Sequence, residues 1–254
     1  MMEKLEYEKQ YKIPVYDIGF DGSLSPHSLF NYLQDIASEH AVLLRFGKDD
    51  LRKENRFWVL SRIAVKIIRW PGWEETLTVK TWPRGTEKLF ALRDFEVNDK
   101  DGRTVALASS SWLVLDRTTR RVQRPDTLLS HFNDGFPVKS SLGRNALKIE
   151  AVGEDVKSGT PFRVLTSDLD INLHVNNVNY LKWVIDSYDI DFRRDHHPSF
   201  AELNFLAESR HHDEIVIRTS PDKNNGLIHN HSVVRNVDNN ELCRVQVCWD
   251  HCPQ

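Results

Sequence analysis

One short segment concentrates the side chains best suited to acid–base chemistry. Residues 168–179 contain two aspartates, one histidine and four asparagines, directly before a predicted helix. A helix start exposes unpaired backbone N–H groups and a partial positive charge, which can stabilise an oxygen that becomes negative. An aspartate there can activate water, and a histidine can donate a hydrogen bond or a proton. The composition also fits an Asx-rich capping turn, but capping needs no histidine.

The spacing of these residues resembles a known family signature. Asp170-x-Asn172-x-His174-Val175-Asn176-Asn177-x-x-Tyr180 resembles the D-x-N-x-H-V-N-N-x-x-Y signature of acyl-carrier-protein (acyl-ACP) thioesterases, the enzymes that end fatty acid synthesis. The shorter core D-x-x-x-H-V-N-N is shared with hotdog-fold acyl-CoA thioesterases. Segments 57–62, 69–76 and 112–122 resemble further elements of the acyl-ACP family, so the similarity extends over most of the chain.

Similarity to this family implies an α+β double hotdog fold. Such a chain has two tandem domains, each with a long helix wrapped by an antiparallel sheet. The implied activity is hydrolysis of the thioester bond of fatty acyl-ACP, which releases the free fatty acid. The resemblance implies the acyl carrier protein as partner, and it implies neither a cofactor nor a metal.

The resemblance also assigns roles to individual residues. The expected catalytic residues are Asp170, Asn172, His174 and Glu208. Asp170 or Glu208 would position and deprotonate water, while His174 and Asn172 hold or polarise it. We expect the thioester oxygen to bind backbone amides at the helix start, namely those of Val175, Asn176 and Asn177.

Two residues keep alternative roles at this point. Ser209 follows Glu208 where the family has a cysteine, so a cysteine nucleophile cannot apply as written. Ser209 could be the nucleophile if a well-placed base removed its proton, but we favour direct attack by water. Asp168 is either part of the catalytic group or a stabiliser of the helix start.

Repeated helix-then-strand patterns indicate an internal duplication. Helical spacing predicts a first helix between Ser25 as N-cap and Gly47 as terminator, followed by four strand-like segments that turn residues such as 83–85 separate. A second helical face at residues 181–188 precedes four more strand-like segments. A single helix covered by a sheet makes an α+β unit.

The duplication leads to a predicted domain organisation. We expect an N-terminal hotdog domain at 1–125 that binds the acyl chain, a connector at 126–159, and a C-terminal hotdog domain at 160–254 that carries the catalytic motif. In the first copy, the corresponding loop offers only Asp21 and His27 as residues of catalytic type, which favours a non-catalytic role.

Composition limits other classes of function. The formal net charge of −3 argues against a nucleic-acid binder, and no apolar run is long enough for a membrane span. The N-terminal residues lack a signal-peptide pattern, so we expect a cytoplasmic, bacterial protein.

The densest basic run of the sequence contains Arg117, Arg120, Arg121 and Arg124. This run is either a solvated loop or a docking site for the acidic carrier protein.

Several alternatives stay open. An acyl-CoA thioesterase on the same fold is the main competitor, whereas joint retention of the four predicted catalytic residues argues against a non-catalytic acyl-binding module. A hotdog dehydratase fits less well, because its usual site lacks this motif with a downstream acid.

Neither the cysteines near the C-terminus nor the paired histidines have a recognised metal-site spacing. The sequence does not indicate which fatty acyl chain length is preferred. A homodimer is compatible with the sequence.

Overall fold

Each half of the chain places its main helix before a run of antiparallel strands. The computed structural model describes residues 5–125, 137, 139–152, 156–222 and 224–252. The chain divides into two compact units, Met1–Ala146 and Leu147–Gln254. The boundary falls inside the segment 126–159, of which residues 126–136, 138 and 153–155 lie outside the described part of the chain.

The N-terminal unit contains two helices and six strands among its described residues. The helices are α1 (Pro26–Leu43) and α2 (Lys48–Lys53), after a short 3-10 helix at Val15–Asp17. The strands are β1 (Tyr7–Lys12), β2 (Arg56–Ile67), β3 (Thr76–Glu87), β4 (Phe90–Asn98), β5 (Thr104–Asp116) and β6 (Val122–Gln123). Antiparallel pairing gives the order β1-β3-β4-β5-β2, with β6 also paired to β5. The buried face of α1, which includes Leu29, Leu33 and Ile36, packs toward β1 and β3.

The first helix ends earlier than its sequence predicts. It stops at Leu43 because Arg45 adopts a left-handed conformation with φ of 60°. The Phe46 N–H then reaches the Ala41 carbonyl at 2.8 Å and the Arg45 N–H reaches the Val42 carbonyl at 3.0 Å, which is a Schellman motif. Gly47 therefore does not end α1; it is the N-cap of α2.

The C-terminal unit repeats this plan. It contains β7 (Lys157–Ser158), β8 (Phe162–Arg163), a 3-10 helix at Thr166–Asp168, α3 (Asn177–Asp186), α4 (Ile190–Asp195), β9 (His196–Phe205), β10 (Glu214–Pro221), β11 (Ile228–Arg235) and β12 (Asn240–His251). The antiparallel order is β9-β12-β11-β10, and β7 and β8 both pair with β10. β9 pairs with β12 as β2 pairs with β5, so the two units share one topology.

The predicted α+β class with two hotdog units is confirmed, two local predictions need correction, and one short helix was not predicted. Residues Pro83 to Gly85 do not separate two strands but form a bulge inside β3, where Gly85 has a φ of 96°. The second helix ends at Asp186, before Tyr188. Helix α4 has too few residues for its short apolar pattern to be distinguished in the sequence.

Candidate active site

The candidate site lies on a tight loop between the 3-10 helix Thr166–Asp168 and α3. The Asp170 N–H donates to the His174 carbonyl at 2.7 Å, and the Leu173 N–H donates to the Asp170 carbonyl at 3.0 Å. Leu173 closes the loop with a φ of 62°. Because this reversal is short, the side chains of residues 170, 172 and 174 are held on one small stretch of backbone.

Asp170 organises this loop through its carboxylate. Its Oδ1 accepts hydrogen bonds from the backbone N–H groups of Asn172 at 2.7 Å and His174 at 3.2 Å. Its Oδ2 accepts a hydrogen bond from the Asn172 side-chain amide at 3.2 Å. Both carboxylate oxygens are therefore engaged by the loop, and the geometry gives Asp170 the role of holding Asn172 and His174 in place.

His174 and Glu208 meet although 33 residues separate them in the sequence. The His174 Nε2 lies 3.3 Å from the Glu208 Oε2, with the His174 side chain 24% exposed and that of Glu208 42% exposed. An isolated bridge between His174 and Arg210 aligns the two backbones here. A half-buried imidazole next to a more exposed carboxylate can share a proton and orient a water molecule.

The start of α3 corrects part of the predicted oxyanion site. The Val175 N–H donates to the Ser209 carbonyl at 2.9 Å, and the Asn176 N–H donates to the Asp168 carbonyl at 2.9 Å. Neither amide is free to receive a thioester oxygen, because each is part of a backbone hydrogen bond. Asn177 differs, since it is the first residue of α3, where an N–H group has no partner within the helix.

Asp168 stabilises the segment before the loop. Its Oδ2 accepts a hydrogen bond from the Leu165 N–H at 2.8 Å, and its carbonyl accepts one from the Asn179 side chain at 2.8 Å. Asn176 is the N-cap of α3, and its side chain accepts a hydrogen bond from the Val178 N–H. These contacts match the structural alternative for Asp168.

Ser209 is fully buried and its hydroxyl is already engaged. The Ser209 Oγ donates to the Asp213 Oδ2 at 2.9 Å. Its partner is a carboxylate rather than His174, so the histidine base that a serine nucleophile commonly uses is not paired with it here. Cys243 does not replace the missing cysteine either, because it is fully buried and burial raises the pKa of its thiol.

Asp213, which binds the turn that follows Glu208, was not predicted from the sequence. Its Oδ2 also accepts a hydrogen bond from the Arg210 N–H at 2.9 Å. The signal available was weak, since one aspartate four residues after a serine occurs in many turns.

The N-terminal unit has the same loop with different side chains. The Gly19 N–H donates to the Ser23 carbonyl at 2.8 Å, as Asp170 does to His174. By this correspondence Gly19, Asp21 and Ser23 stand where the C-terminal unit has Asp170, Asn172 and His174. His27 lies in the first turn of α1, and its ring nitrogen is 3.5 Å from the Ser25 Oγ.

The predicted basic run lies in the N-terminal unit. Arg117, Arg120, Arg121 and Arg124 are all exposed, around the turn between β5 and β6. Asp116 orders this turn by accepting hydrogen bonds from the N–H groups of Thr118 and Thr119, and the latter is the main cause of its lowered pKa. The arginines therefore stand on an ordered turn.

The described part of the chain contains no group of three or more histidine, cysteine or acidic side chains arranged to hold a metal ion. Within the same residues, none of the helices combines the length and the apolar character needed to cross a bilayer.

Fold and site together define a tandem hotdog protein with an acid–histidine pair in its second unit. Family models described as the N-terminal and C-terminal domains of acyl-ACP thioesterases match residues 4–130 and 152–251. The chain belongs to the acyl-ACP thioesterase family.

Individual relatives agree with this assignment. A palmitoyl-acyl carrier protein thioesterase of Arabidopsis thaliana is 34% identical over 74% of this chain and 48% of its own length. The chain thus spans about half the length of this curated relative. An acyl-ACP thioesterase structure from Bacteroides thetaiotaomicron is 27% identical with a TM-score of 0.79, covering 98% of this chain and all of that one. A 12:0-ACP thioesterase structure from Umbellularia californica, 24% identical, shares the fold with a TM-score of 0.84, covering 99% of this chain and 96% of that one.

Proposed function

We propose that this protein hydrolyses the thioester bond of fatty acyl-ACP and releases the free fatty acid. The observation that carries the proposal is the contact between His174 and Glu208 at 3.3 Å, on a loop that Asp170 organises, in a member of the acyl-ACP thioesterase family. A thioester is reactive enough for a water molecule activated by a general base to attack it without a metal.

In the proposed mechanism, Glu208 is the general base. Its carboxylate is the more exposed partner of His174, whereas both oxygens of Asp170 bind the loop. Water transfers a proton to Glu208 as its oxygen attacks the thioester carbonyl carbon. When the tetrahedral intermediate breaks down, the carbon–sulfur bond is cleaved and the leaving thiolate takes up a proton from the Glu208–His174 pair.

The remaining predicted residues support this reaction. Asn172, held by Asp170, can hydrogen-bond water or substrate, and the Asn177 N–H at the start of α3 is the backbone amide suited to the developing negative charge. The burial of Ser209 and its hydrogen bond to Asp213 support direct attack by water over a serine nucleophile.

The N-terminal unit is proposed to bind the acyl chain. Its loop carries Gly19 and Ser23 where the C-terminal unit has Asp170 and His174, so the acid–histidine chemistry has no counterpart there. The apolar face of α1, directed at the sheet, suits this role, although the same side chains also form an ordinary core.

The proposed carrier-protein docking site is the exposed turn that contains Arg117, Arg120, Arg121 and Arg124. A positive patch would accelerate the encounter with an acidic carrier protein and make it sensitive to salt. We propose a bacterial enzyme that acts in the cytoplasm, in keeping with the similarity to the Bacteroides thetaiotaomicron acyl-ACP thioesterase. A homodimer is a further prediction, which light scattering can test by measuring the molar mass of the protein in solution.

A panel of substrates tests the proposed function. We expect purified protein to hydrolyse acyl-ACP with a higher kcat/KM than the matching acyl-CoA, and the His174→Ala variant to be the inactive control. A preference for acyl-CoA would favour the second candidate, an acyl-CoA thioesterase on the same fold. Binding of acyl-ACP without hydrolysis would favour an acyl-binding module instead.

A further inference from the structure

We propose that Asp213 is a positioning residue that sets the contact between Glu208 and His174. The inference rests on the proposed function and adds a residue that acts through others. One carboxylate oxygen of Asp213, Oδ2, accepts hydrogen bonds from the Ser209 hydroxyl and from the Arg210 N–H, both at 2.9 Å. The Asp213 N–H donates back to the Arg210 carbonyl at 3.1 Å, which closes the turn directly after Glu208.

The same turn is attached to the loop that carries His174. The Ser209 carbonyl accepts the Val175 N–H at 2.9 Å, and Arg210 forms a bridge with His174. Ser209 is the neighbour of Glu208 and Val175 is the neighbour of His174, so this hydrogen bond connects the two segments that carry the reacting pair. Without the Asp213 carboxylate as its acceptor, the buried Ser209 hydroxyl would need another hydrogen-bond partner, and the turn would rearrange.

Arg235 anchors Asp213 from the sheet. Its Nη1 lies 3.4 Å from the Asp213 Oδ2, and its Nη2 lies 2.8 Å from Asp238. The hydrogen bond to Asp238 is the main cause of the raised pKa of Arg235. The Asp213 carboxylate thus contacts both Arg235, at the end of β11, and the turn. These contacts fix the position of the turn, and with it that of Glu208, relative to β11.

The N-terminal unit contains the same turn without the reactive groups. Glu75 accepts a hydrogen bond from the Gly72 N–H at 2.7 Å and forms an ion pair with Arg69 at 2.8 Å. The Pro71 carbonyl accepts the Leu24 N–H at 2.7 Å, as the Ser209 carbonyl accepts the Val175 N–H. Glu75 is therefore a natural control for Asp213, because it closes an equivalent turn where no His–Glu pair exists.

The kinetic test compares Asp213→Ala with Glu75→Ala. We expect Asp213→Ala to lower kcat for acyl-ACP about tenfold or more with little change in KM, because the reacting groups are displaced while the substrate-binding surface is kept. Glu75→Ala should lower Tm but leave kcat within about twofold. Unchanged kcat in Asp213→Ala, or an equal loss in Glu75→Ala, would overturn the inference. Asp213→Asn, which keeps an acceptor oxygen, should recover part of kcat, and it replaces the alanine variant if that does not fold.

A spectroscopic readout separates this inference from the proposed function. In protein labelled at histidine, the ring signal of His174 is identified by its loss in His174→Gln. We expect Asp213→Ala, or Asp213→Asn in its place, to shift this signal and Glu75→Ala to leave it unchanged. If the wild-type protein hydrolyses no acyl-ACP, the proposed function fails, while the His174 signal still decides whether Asp213 positions the pair; an unchanged signal in the Asp213 variant refutes it.

Discussion

At the scale of single residues, the site separates a carboxylate that holds the loop from one that meets the histidine. Asp170 accepts three hydrogen bonds from its own loop, whereas Glu208 lies 3.3 Å from His174. Residue type and spacing leave both carboxylates as candidates for the base, because they do not reveal which groups each carboxylate contacts in the fold. The three hydrogen bonds assign Asp170 to holding the loop, and the contact with His174 favours Glu208 as the base.

Substitutions at these residues distinguish the mechanisms. Glu208→Gln and His174→Gln should each lower kcat about 10²-fold or more, because general acid–base catalysis contributes factors of this size. Ser209→Ala should keep most of the activity, because it removes the hydroxyl together with its need for an acceptor, while Asp213 still binds the Arg210 N–H and keeps the turn closed. Steady-state kinetics on acyl-ACP, with circular dichroism as a folding control, provides the measurement. A correctly folded but inactive Ser209→Ala variant would instead indicate a serine nucleophile.

At the scale of elements, the end of α1 depends on one residue in an unfavourable conformation. Arg45 is exposed and has a φ of 60°, a region in which glycine is favoured. Gly47 is different, because a Cβ there would lie 2.7 Å from the Val42 Cγ2. Residue type alone predicts Gly47 as the residue that ends α1, whereas the backbone hydrogen bonds place the reversal two residues earlier, at Arg45.

Exchanges at these two positions should act in opposite directions. Arg45→Gly should raise the free energy of unfolding by about 1 kcal/mol, because it relieves the left-handed strain. Gly47→Ala should lower it, since the new methyl group meets Val42. Urea denaturation measures both changes. Destabilisation by Arg45→Gly would show that the arginine side chain contributes more than its backbone conformation costs.

A second element-scale feature is a buried polar cluster after α3. The Tyr188 hydroxyl lies 2.7 Å from the His229 Nδ1 and 2.8 Å from the His231 Nε2, and it accepts a hydrogen bond from the Trp249 indole N–H. The cluster joins the segment between α3 and α4 to β11 and β12. His231 is fully buried in this cluster, so it belongs to the core rather than to the surface.

The partners of the two rings define where their protons lie when both histidines are neutral. The His229 Nε2 faces the Gly226 carbonyl at 3.0 Å and must donate, so its Nδ1 accepts from Tyr188. The Tyr188 oxygen then accepts the Nε2–H of His231, whose Nδ1 accepts from Thr219. Every group in this arrangement has a partner only while both histidines are neutral.

Acid should therefore destabilise the C-terminal unit through His231. Burial lowers the pKa of His231 from 6.5 to about 3, so between these values the unfolded chain binds a proton that the folded chain excludes. From pH 7.5 to pH 5, the wild type should lose about 2 kcal/mol more of unfolding free energy than His231→Gln. Urea titrations at the two pH values measure the difference. Equal losses in both proteins would assign the acid sensitivity to other groups.

At the scale of the whole molecule, a duplicated unit has kept one backbone plan and diverged in its side chains. Both units share the sheet pairing and the loop before the main helix. Only the C-terminal loop carries the acid and histidine residues of the motif, and the basic turn with Arg120 and Arg121 belongs to the N-terminal unit. In the proposed function, the two copies therefore have different tasks.

Charge reversal tests the proposed docking site on the N-terminal unit. The Arg120→Glu/Arg121→Glu double variant should raise KM for acyl-ACP several-fold at low salt, and the effect should fade at high salt as ions screen the charges. KM for acyl-CoA is the internal control and should change less. Steady-state kinetics at two salt concentrations measures the change in KM. An unchanged KM for acyl-ACP would show that the basic run is a solvated loop and not a docking site.

Local patterns in the sequence are sufficient to identify the family, the order of the two main helices and the longer strands, and the candidate catalytic residues. These features follow from local spacing: apolar periodicity, turn residues and the motif from Asp170 to Tyr180. Only the folded chain shows which carboxylate meets His174, which amides at the start of α3 are already hydrogen-bonded, and that the Ser209 hydroxyl is part of a turn closed by Asp213. The physical reason is that these contacts join residues distant in the chain, and their geometry is set by how the turn after β9 meets the loop before α3.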